Sequence, residues 1–326
     1  MSLIAGLIAG LAIALTALAG TLATAAAEDY PTRTVKIIVP FGAGGPADLY
    51  ARFLGQQLQD TLKQAFVIED RPGAGSVIGT GEAAKAAPDG YTLLMMSNTH
   101  TTNETLLPNK PFQLMRDFVP VAPVNTSDLI MVVHPSVPAK DLKEFIALLK
   151  SRPGDLNYAS SGPGTPYHMA SELFKAMSGT SIQHVAHRGS GDARTAVMGG
   201  HVQMMIDAIT TTAPTVQSGA LRALGTTGLK RSTVLPDVPT IAEAGLPGYE
   251  ATIWLGLMAP AGTPAAVLDK LNSEINNVLK RPETRQAWAK QGAEPLVMTP
   301  AEFDRYLRTD IEKWAKVIHT AGIKVQ

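Results

Sequence analysis

The chain has 326 residues, of which 45% are hydrophobic and 17% charged, so it can bury a sizeable core and disorder is not expected. Lysine plus arginine and aspartate plus glutamate number 28 each, which gives a formal net charge of zero. A general nucleic-acid-binding protein needs a basic excess to neutralise phosphates, so this balance excludes that class. The length allows one large domain or two of ordinary size.

The first 27 residues differ from the rest, since they carry no charged side chain and end in small residues before Glu28. The A-x-A pattern of Ala25 to Ala27 predicts a signal peptide over residues 1–27, although the usual basic segment is missing. A retained membrane anchor and a buried helix are the alternatives. The sequence has no cysteine, which excludes a lipoprotein anchor and disulfides. These features together predict a periplasmic protein.

Short apolar runs then alternate with amphipathic stretches. Residues 35–40, 66–69 and 91–97 predict strands, with a helix over 47–61 and an alanine-rich helix that ends at Pro88. This β-α-β-α-β order predicts a parallel sheet with right-handed crossovers.

A second series follows after Val121. The remaining predicted strands are 128–135, 156–160, 182–187, 202–209 and 254–260, and the remaining predicted helices are 141–152, 166–178, 192–198, 264–280 and 300–323. Two such series predict two α/β lobes. Ligands of such sheets bind beyond the carboxyl ends of the strands, so a cleft between the lobes is expected.

The turn after the first strand is rich in glycine. Gly42, Gly44 and Gly45 remove Cβ atoms where the backbone approaches another group, and Pro46 suits the first position of a helix. Free amides and the helix dipole favour an anion there. The spacing matches neither the dinucleotide nor the P-loop motif, so NAD and ATP are not indicated. A plain tight turn is the alternative.

A second glycine turn, in YASSGPGTPYH, adds hydroxyl groups. Ser160, Ser161 and Thr165 with backbone amides suit a carboxylate, whose oxygens need several donors. His168 can donate to an anion or merely pack. A triad of Ser161, His168 and Asp207 can be assembled on paper, but no G-x-S-x-G elbow surrounds a serine, so a hydrolase is not indicated.

Two further polar features have open interpretations. His184 and His187 lie three residues apart in a strand-like run, where the rings point to opposite faces and make a poor metal site. Asp207 ends an apolar run, so it can receive a ligand hydroxyl or amine, or cap the next helix.

Seven segments together resemble the Bug family, the TctC-type periplasmic solute-binding receptors of tripartite tricarboxylate transporters. They occur in the family's order and span nearly the whole chain after residue 27. The segments are YPTRTVKIIVPFGAGGPAD, RPGAGSVIG, APDGYTLLM, LNYASSGPGTPYH, HRGSGDARTAVMGGHVQMMID, LPDVPTIAEAGLPGYE and WLGLMAPAGTP.

The resemblance implies a two-lobed α/β fold of the periplasmic-binding-protein (Venus-flytrap) type, each lobe a mostly parallel sheet flanked by helices. Residues 28–125 and 249–326 are expected in lobe 1 and residues 126–248 in lobe 2. A monomer would capture a small carboxylate and deliver it to membrane subunits of a tripartite tricarboxylate-type transporter, without catalysis, cofactor or metal. A periplasmic enzyme acting on a carboxylate and a ligand-binding sensor for a two-component system are the alternatives.

The resemblance also implies that the two glycine turns hold one ligand carboxylate between them, with ordered waters. Arg188, where the family often has lysine, can pair with a second ligand carboxylate or keep a positive charge at the rim. The residues it marks as ligand-binding are Phe41, Ala43, Gly44, Asp48, Ser161, Gly162, Gly164, Thr165, His168 and Asp207. Ser97, which follows a strand, and Arg188, which departs from the family pattern, are also expected at the site.

Overall fold

The computed structural model describes residues 30–323. The predicted signal peptide over residues 1–27 lies outside this range. Within it, none of the helices combines the length and the apolar character needed to span a bilayer.

Strands alternate with helices along most of the chain, as predicted, although two helices follow each other after the third strand and after the ninth. The strands are β1 Val35–Val39, β2 Phe66–Asp70, β3 Thr92–Ser97, β4 Phe118–Val133, β5 Asn157–Ser160, β6 Gln183–Ala186, β7 Met204–Ala208, β8 Arg222–Thr226, β9 Thr252–Pro260 and β10 Ala293–Pro295. The helices are α1 Pro46–Leu62, α2 Val77–Ala83, α3 Asn98–Leu106, α4 Leu114–Asp117, α5 Leu142–Ser151, α6 Pro166–Ser178, α7 Ser190–Met198, α8 Ile209–Gln217, α9 Ile241–Ala244, α10 Ala265–Lys280, α11 Pro282–Ala289 and α12 Pro300–Ala321.

The strands form a mixed sheet in the order β2-β1-β3-β9-β4-β7-β5-β6, and β8 and β10 also pair with β4. β1 is parallel to β2 and β3, and β5 is parallel to β6 and β7, which confirms the predicted parallel series. The pairs that involve β4 or β9 are antiparallel. The antiparallel pairs arise because these two long strands cross side by side between the halves of the molecule.

The length of β4 was not predicted in full. Only residues 128–135 have the uninterrupted apolar pattern of a strand, because Pro120 and Pro123 interrupt the first half. In the structure the register of β4 against β9 shifts beside each proline, between Pro120 and Ala122 and between Pro123 and Asn125. These irregularities let a strand that contains proline stay in the middle of a sheet.

Two sets of apolar side chains define the two lobes. The first packs β1, α1 and α10 together through residues such as Ile37, Leu54 and Leu271, and the second packs β5, α5 and α6 through residues such as Phe145 and Phe174.

Both crossing strands contribute to both sets of apolar side chains. Along β4 the change falls between Val124 and Leu129, and along β9 it falls between Ile253 and Leu255. The two-lobed fold class is confirmed, while the predicted assignment of residues to each lobe stays a prediction.

Candidate functional site

Four turns at the carboxyl ends of parallel strands meet between the lobes. They follow β1, β2, β5 and β6, and they enclose a cavity of about 570 Å³. The segments that follow β1 and β2 contribute Pro40, Phe41, Gly73, Ala74, Gly75 and Ser76, and the segments around the ends of β5 and β6 contribute Ser161, Gly162, Pro163, Ala186, His187, Arg188 and Asp192. This is the location expected for a ligand of such sheets.

Glycines let the two lobes touch beside this cavity. A Cβ atom on Gly189 would lie 2.9 Å from the Cα atom of Gly42, and one on Gly75 would lie 2.6 Å from the Pro163 carbonyl oxygen. The close approach predicted for the glycine turns is therefore, at these positions, an approach of one lobe to the other. Gly44 differs, since a Cβ there would meet open space and its φ of +75° is what requires glycine.

Asp48 bonds a backbone amide of the first glycine turn. The Gly44 amide donates to Asp48 Oδ2 at 2.9 Å, and the buried carboxylate also forms an ion pair with Arg52. Ala43 and Gly44 are exposed and do not line the 570 Å³ cavity or a smaller cavity of about 20 Å³ beside it, whereas Phe41 lines both of these cavities. Direct ligand contact by Ala43, Gly44 and Asp48 stays a prediction without geometric support.

A second, smaller cavity of about 20 Å³ adjoins the turns, and Ser161 lines both cavities. Its volume suits a group the size of a water molecule or one carboxylate oxygen. Three helices begin beside it, with Pro46 of α1, Pro166 of α6 and Ser190 of α7 in its wall. Among residues 30–323, no side chain caps α1 or α7. Helix N-termini with uncapped N–H groups favour an anion.

Three buried polar atoms in the wall of the large cavity have no hydrogen-bond partner in the described part of the chain. They are Ser76 Oγ, Ser161 Oγ and His187 Nε2. A buried polar group without a partner costs about 1–3 kcal/mol, so native structures normally satisfy it with protein, water or ligand. The three atoms come from both lobes, which indicates that the cavity is built to receive a polar molecule.

The second glycine turn uses most of its own polar groups to hold its shape. The Gly162 amide donates to Ser160 Oγ, and Thr165 donates its hydroxyl to the Gly162 carbonyl while it caps α6. The Gly164 amide donates to His168 Nδ1 at 3.2 Å. The hydroxyl of Ser161 is left to face the cavities.

His168 is a packing residue in this structure. Its ring stacks on those of Tyr158 and His184, and burial lowers its pKa to about 4. The imidazole is therefore neutral at neutral pH and can accept from the Gly164 amide. Gly164, Thr165 and His168 line neither cavity, so the packing alternative accounts for His168, and direct ligand contact by the three stays a prediction.

Asp207 is wholly buried and bonded to protein donors. Its carboxylate accepts from Arg194 Nε at 2.8 Å, from Thr212 Oγ1 at 2.6 Å and from the Ala208 amide at 2.9 Å, and it forms an ion pair with Arg194. The helix-cap alternative has partial support, since Asp207 accepts from the Ala208 amide at the start of α8, although Ala208 itself occupies the cap position. The predicted ligand contact has no geometric support, because Arg194, Thr212 and the Ala208 amide already bond this carboxylate.

Ser97 and Arg188 both lie at the cavities. Ser97 caps α3 by accepting from the Thr99 amide and lines the small cavity. Arg188 is exposed and lines the large cavity. Its guanidinium is available to an anionic group in the cavity.

The sequence interpretation missed the third glycine turn as a site element. RPGAGS follows β2 as FGAGGP follows β1, and Gly73 to Ser76 lie in the wall of the large cavity. The same argument from strand, glycine turn and helix predicts it. His187 and Ser190 were also missed, and no local pattern distinguishes them from surface residues.

Comparison with known proteins identifies the family. Residues 50–323 match the family model of the tripartite tricarboxylate transporter family receptor, TctC. Protein BugT of Bordetella pertussis (strain Tohama I) is 38% identical over 312 residues, which cover 95% of this chain and 96% of BugT.

Two solved structures with bound solutes have the same fold. R. palustris Rpa4515 with adipate has a TM-score of 0.88 and 34% identity, and the match covers 90% of this chain and 99% of that one. MatC (Rpa3494) from Rhodopseudomonas palustris with bound malate has a TM-score of 0.84 and 33% identity, covering 89% and 100%. This chain therefore belongs to the TctC family of tripartite tricarboxylate transporter receptors, and it is a solute-binding receptor of that family.

Proposed function

We propose that this receptor captures a small carboxylate between its lobes in the periplasm and delivers it to the membrane subunits of a tripartite tricarboxylate-type transporter. Export through a signal peptide over residues 1–27 and action as a monomer belong to the same proposal. One observation carries it. The partnerless hydroxyl of Ser161 stands between a cavity of solute size and a small cavity at which two uncapped helices begin.

A carboxylate suits this position better than a neutral group. One of its oxygens can enter the small cavity, where the N-termini of α1 and α7 favour negative charge. The Ser161 hydroxyl can donate to the same group, and hydrogen bonds to a charged acceptor are roughly twice as strong as neutral ones. A site between closed lobes also excludes water, which strengthens these bonds.

The far part of the large cavity suits a second polar group on the same solute. Arg188 can pair with a second carboxylate, and Ser76 Oγ and His187 Nε2 can bond its oxygens. Adipate and malate, the solutes in the two relatives, each carry two carboxylates. We therefore propose a dicarboxylate as the solute class.

Binding without chemical change fits the arrangement of the polar groups. A triad of Ser161, His168 and Asp207 would need the imidazole between the other two. Instead His168 Nδ1 accepts from the Gly164 amide, and Asp207 is held by Arg194 and Thr212. We propose that the solute leaves as it entered.

Native mass spectrometry of the freshly purified protein, followed by thermal unfolding with a panel of mono- and dicarboxylates, tests the proposal. Protein that has been unfolded and refolded to remove solute should melt several degrees higher with a matching dicarboxylate, as linkage requires. The matching amines and amides serve as controls. A panel that leaves the melting temperature unchanged would contradict the proposed class.

A further inference from the structure

Helix α3 lies behind the large cavity and contacts glycine turns of both lobes. Thr102 Oγ1 lies 2.7 Å from the Gly164 carbonyl oxygen, which belongs to the second glycine turn. The next residue, Asn103, donates from Nδ2 to the Gly75 carbonyl oxygen at 2.8 Å. Both side chains are almost wholly buried, so α3 connects the turn after β2 with the turn after β5.

The Thr102 hydroxyl has two possible acceptors. Besides Gly164, the carbonyl oxygen of Thr99 in its own helix lies at 2.9 Å. A hydroxyl carries one proton, so it can donate to only one of them at a time. When the lobes separate, the hydroxyl can keep a bond to Thr99 and the Gly164 carbonyl can turn to water. Opening therefore leaves no buried donor without a partner, and the contact between the lobes is reversible.

Glycine makes this contact possible at two points. A side chain at Gly164 would collide with Asn103 Oδ1, and one at Gly75 would meet the Pro163 carbonyl oxygen at 2.6 Å. The Asn103 amide fixes the Gly75 turn from behind while the Pro163 carbonyl faces it from the other lobe. The Asn103–Gly75 hydrogen bond holds this turn in shape on its own side of the cleft, whereas the contact of Gly75 with Pro163 and the bond from Thr102 to Gly164 require closed lobes.

We infer that Thr102 and Asn103 form a latch between the lobes that stabilises the closed conformation and so determines how long a solute stays bound. This inference rests on the proposed function but adds a part that does not touch the solute. Neither residue lines the large or the small cavity. The latch is therefore expected to change the rate of release and to leave the choice of solute unchanged.

Thr102→Val tests the latch, with Thr101→Val as a matched control. Thr101 lies in the same helix and donates an equally buried hydrogen bond at 2.6 Å, to Asp310 of α12 rather than to a glycine turn. Thr102→Ser keeps the hydroxyl and should behave as the wild type. The chain has no cysteine, so dyes on Asp60→Cys in α1 and Ser151→Cys in α5 report the distance between the lobes.

The dye pair is read without solute and with saturating adipate, and adipate release is followed in a stopped-flow instrument. We expect Thr102→Val to show more open protein and about tenfold faster release, because closure then leaves the Gly164 carbonyl without a donor. Thr101→Val should lower stability and leave the distance unchanged. Equal distances in Thr102→Val and wild type would overturn the latch. If the wild-type protein closes through the latch but binds neither adipate nor any other acid of the panel, the proposed function is overturned instead.

Discussion

The two glycine turns follow the same local pattern and use it differently. In each, a parallel strand ends, glycines follow, and a helix starts with proline, Pro46 in one and Pro166 in the other. The first turn has one internal carboxylate, and its helix is uncapped. The second has Thr165 as a cap and His168 as an acceptor for its own amide. Glycine therefore permits both turns, while neighbouring side chains decide which amides stay available to a ligand.

The largest effect should come from separating the lobes at the glycines that touch. Gly189 has an extended backbone, with φ of −167°, so Gly189→Val brings no conformational strain of its own. Its side chain would nevertheless press on Gly42 when the lobes close. We expect carboxylate affinity to fall about a hundredfold, from overpacking of a closed contact, as measured by isothermal titration calorimetry.

Gly44→Ala is the matched control for that variant. Its side chain would meet open space, but its φ of +75° disfavours any residue other than glycine. It should cost about 1 kcal/mol of unfolding free energy and leave affinity nearly unchanged. Equal losses of affinity in the two variants would contradict the distinction between lobe contact and turn conformation.

The next largest effect is a pH dependence of stability that His168 of the second glycine turn contributes. Burial lowers the pKa of His168 to about 4 in the folded protein, below the ordinary value of 6.5. The unfolded chain therefore binds more protons, and stability falls as the pH drops from 6.5 to 4. His168 should contribute about 2 kcal/mol of this loss.

Urea unfolding at pH 7, 5.5 and 4.5 measures that loss. Burial also lowers the pKa values of His184 and His100 to about 4, so the His168→Gln variant retains a slope from these two groups. The slope should be smaller in His168→Gln, whose amide oxygen can still accept from Gly164. An unchanged slope in His168→Gln would show that the second turn does not depend on a neutral imidazole.

The smallest effect separates two adjacent serines. Ser161→Ala removes the hydroxyl that faces the cavities and should weaken carboxylate binding about tenfold with little change in stability. Ser160→Ala removes a hydroxyl that accepts from Gly162 and bonds His184. It should instead lower the unfolding free energy by about 1 kcal/mol. Titration calorimetry and urea unfolding are measured on both variants. A loss of affinity in Ser160→Ala with a loss of stability in Ser161→Ala would contradict these roles.

The sequence predicts the parallel series and both glycine turns because periodicity and glycine are local signals. It does not reveal the partner of Asp207, since Arg194 reaches it from a helix that precedes the strand. Helix α3 escaped prediction for a different reason. Its sequence NTHTTNETL lacks an apolar face, yet six of its residues are buried. The burial and hydrogen-bond partners of such polar side chains can be identified only once the positions of the surrounding turns are known.

The first half of β4 was not predicted because two prolines interrupt its strand pattern. The contact of Gly42 with Gly189 was not predicted because it depends on how the two lobes pack together and not on the sequence of either turn. A sequence pattern therefore predicts well the strands and glycine turns that carry the site. Which groups face the solute depends on packing between segments far apart in the chain.

The crossing strands have a consequence for the way the molecule unfolds. Val124 and Leu129 of β4 lie five residues apart and belong to different cores. A denaturant that dissolves one core also removes a central strand from the other, so neither half can melt and leave its neighbour intact. We expect a single cooperative transition in urea, with fluorescence and circular dichroism changing together. Because the same two strands belong to both cores, we expect any bending between the lobes to occur within one cooperative unit.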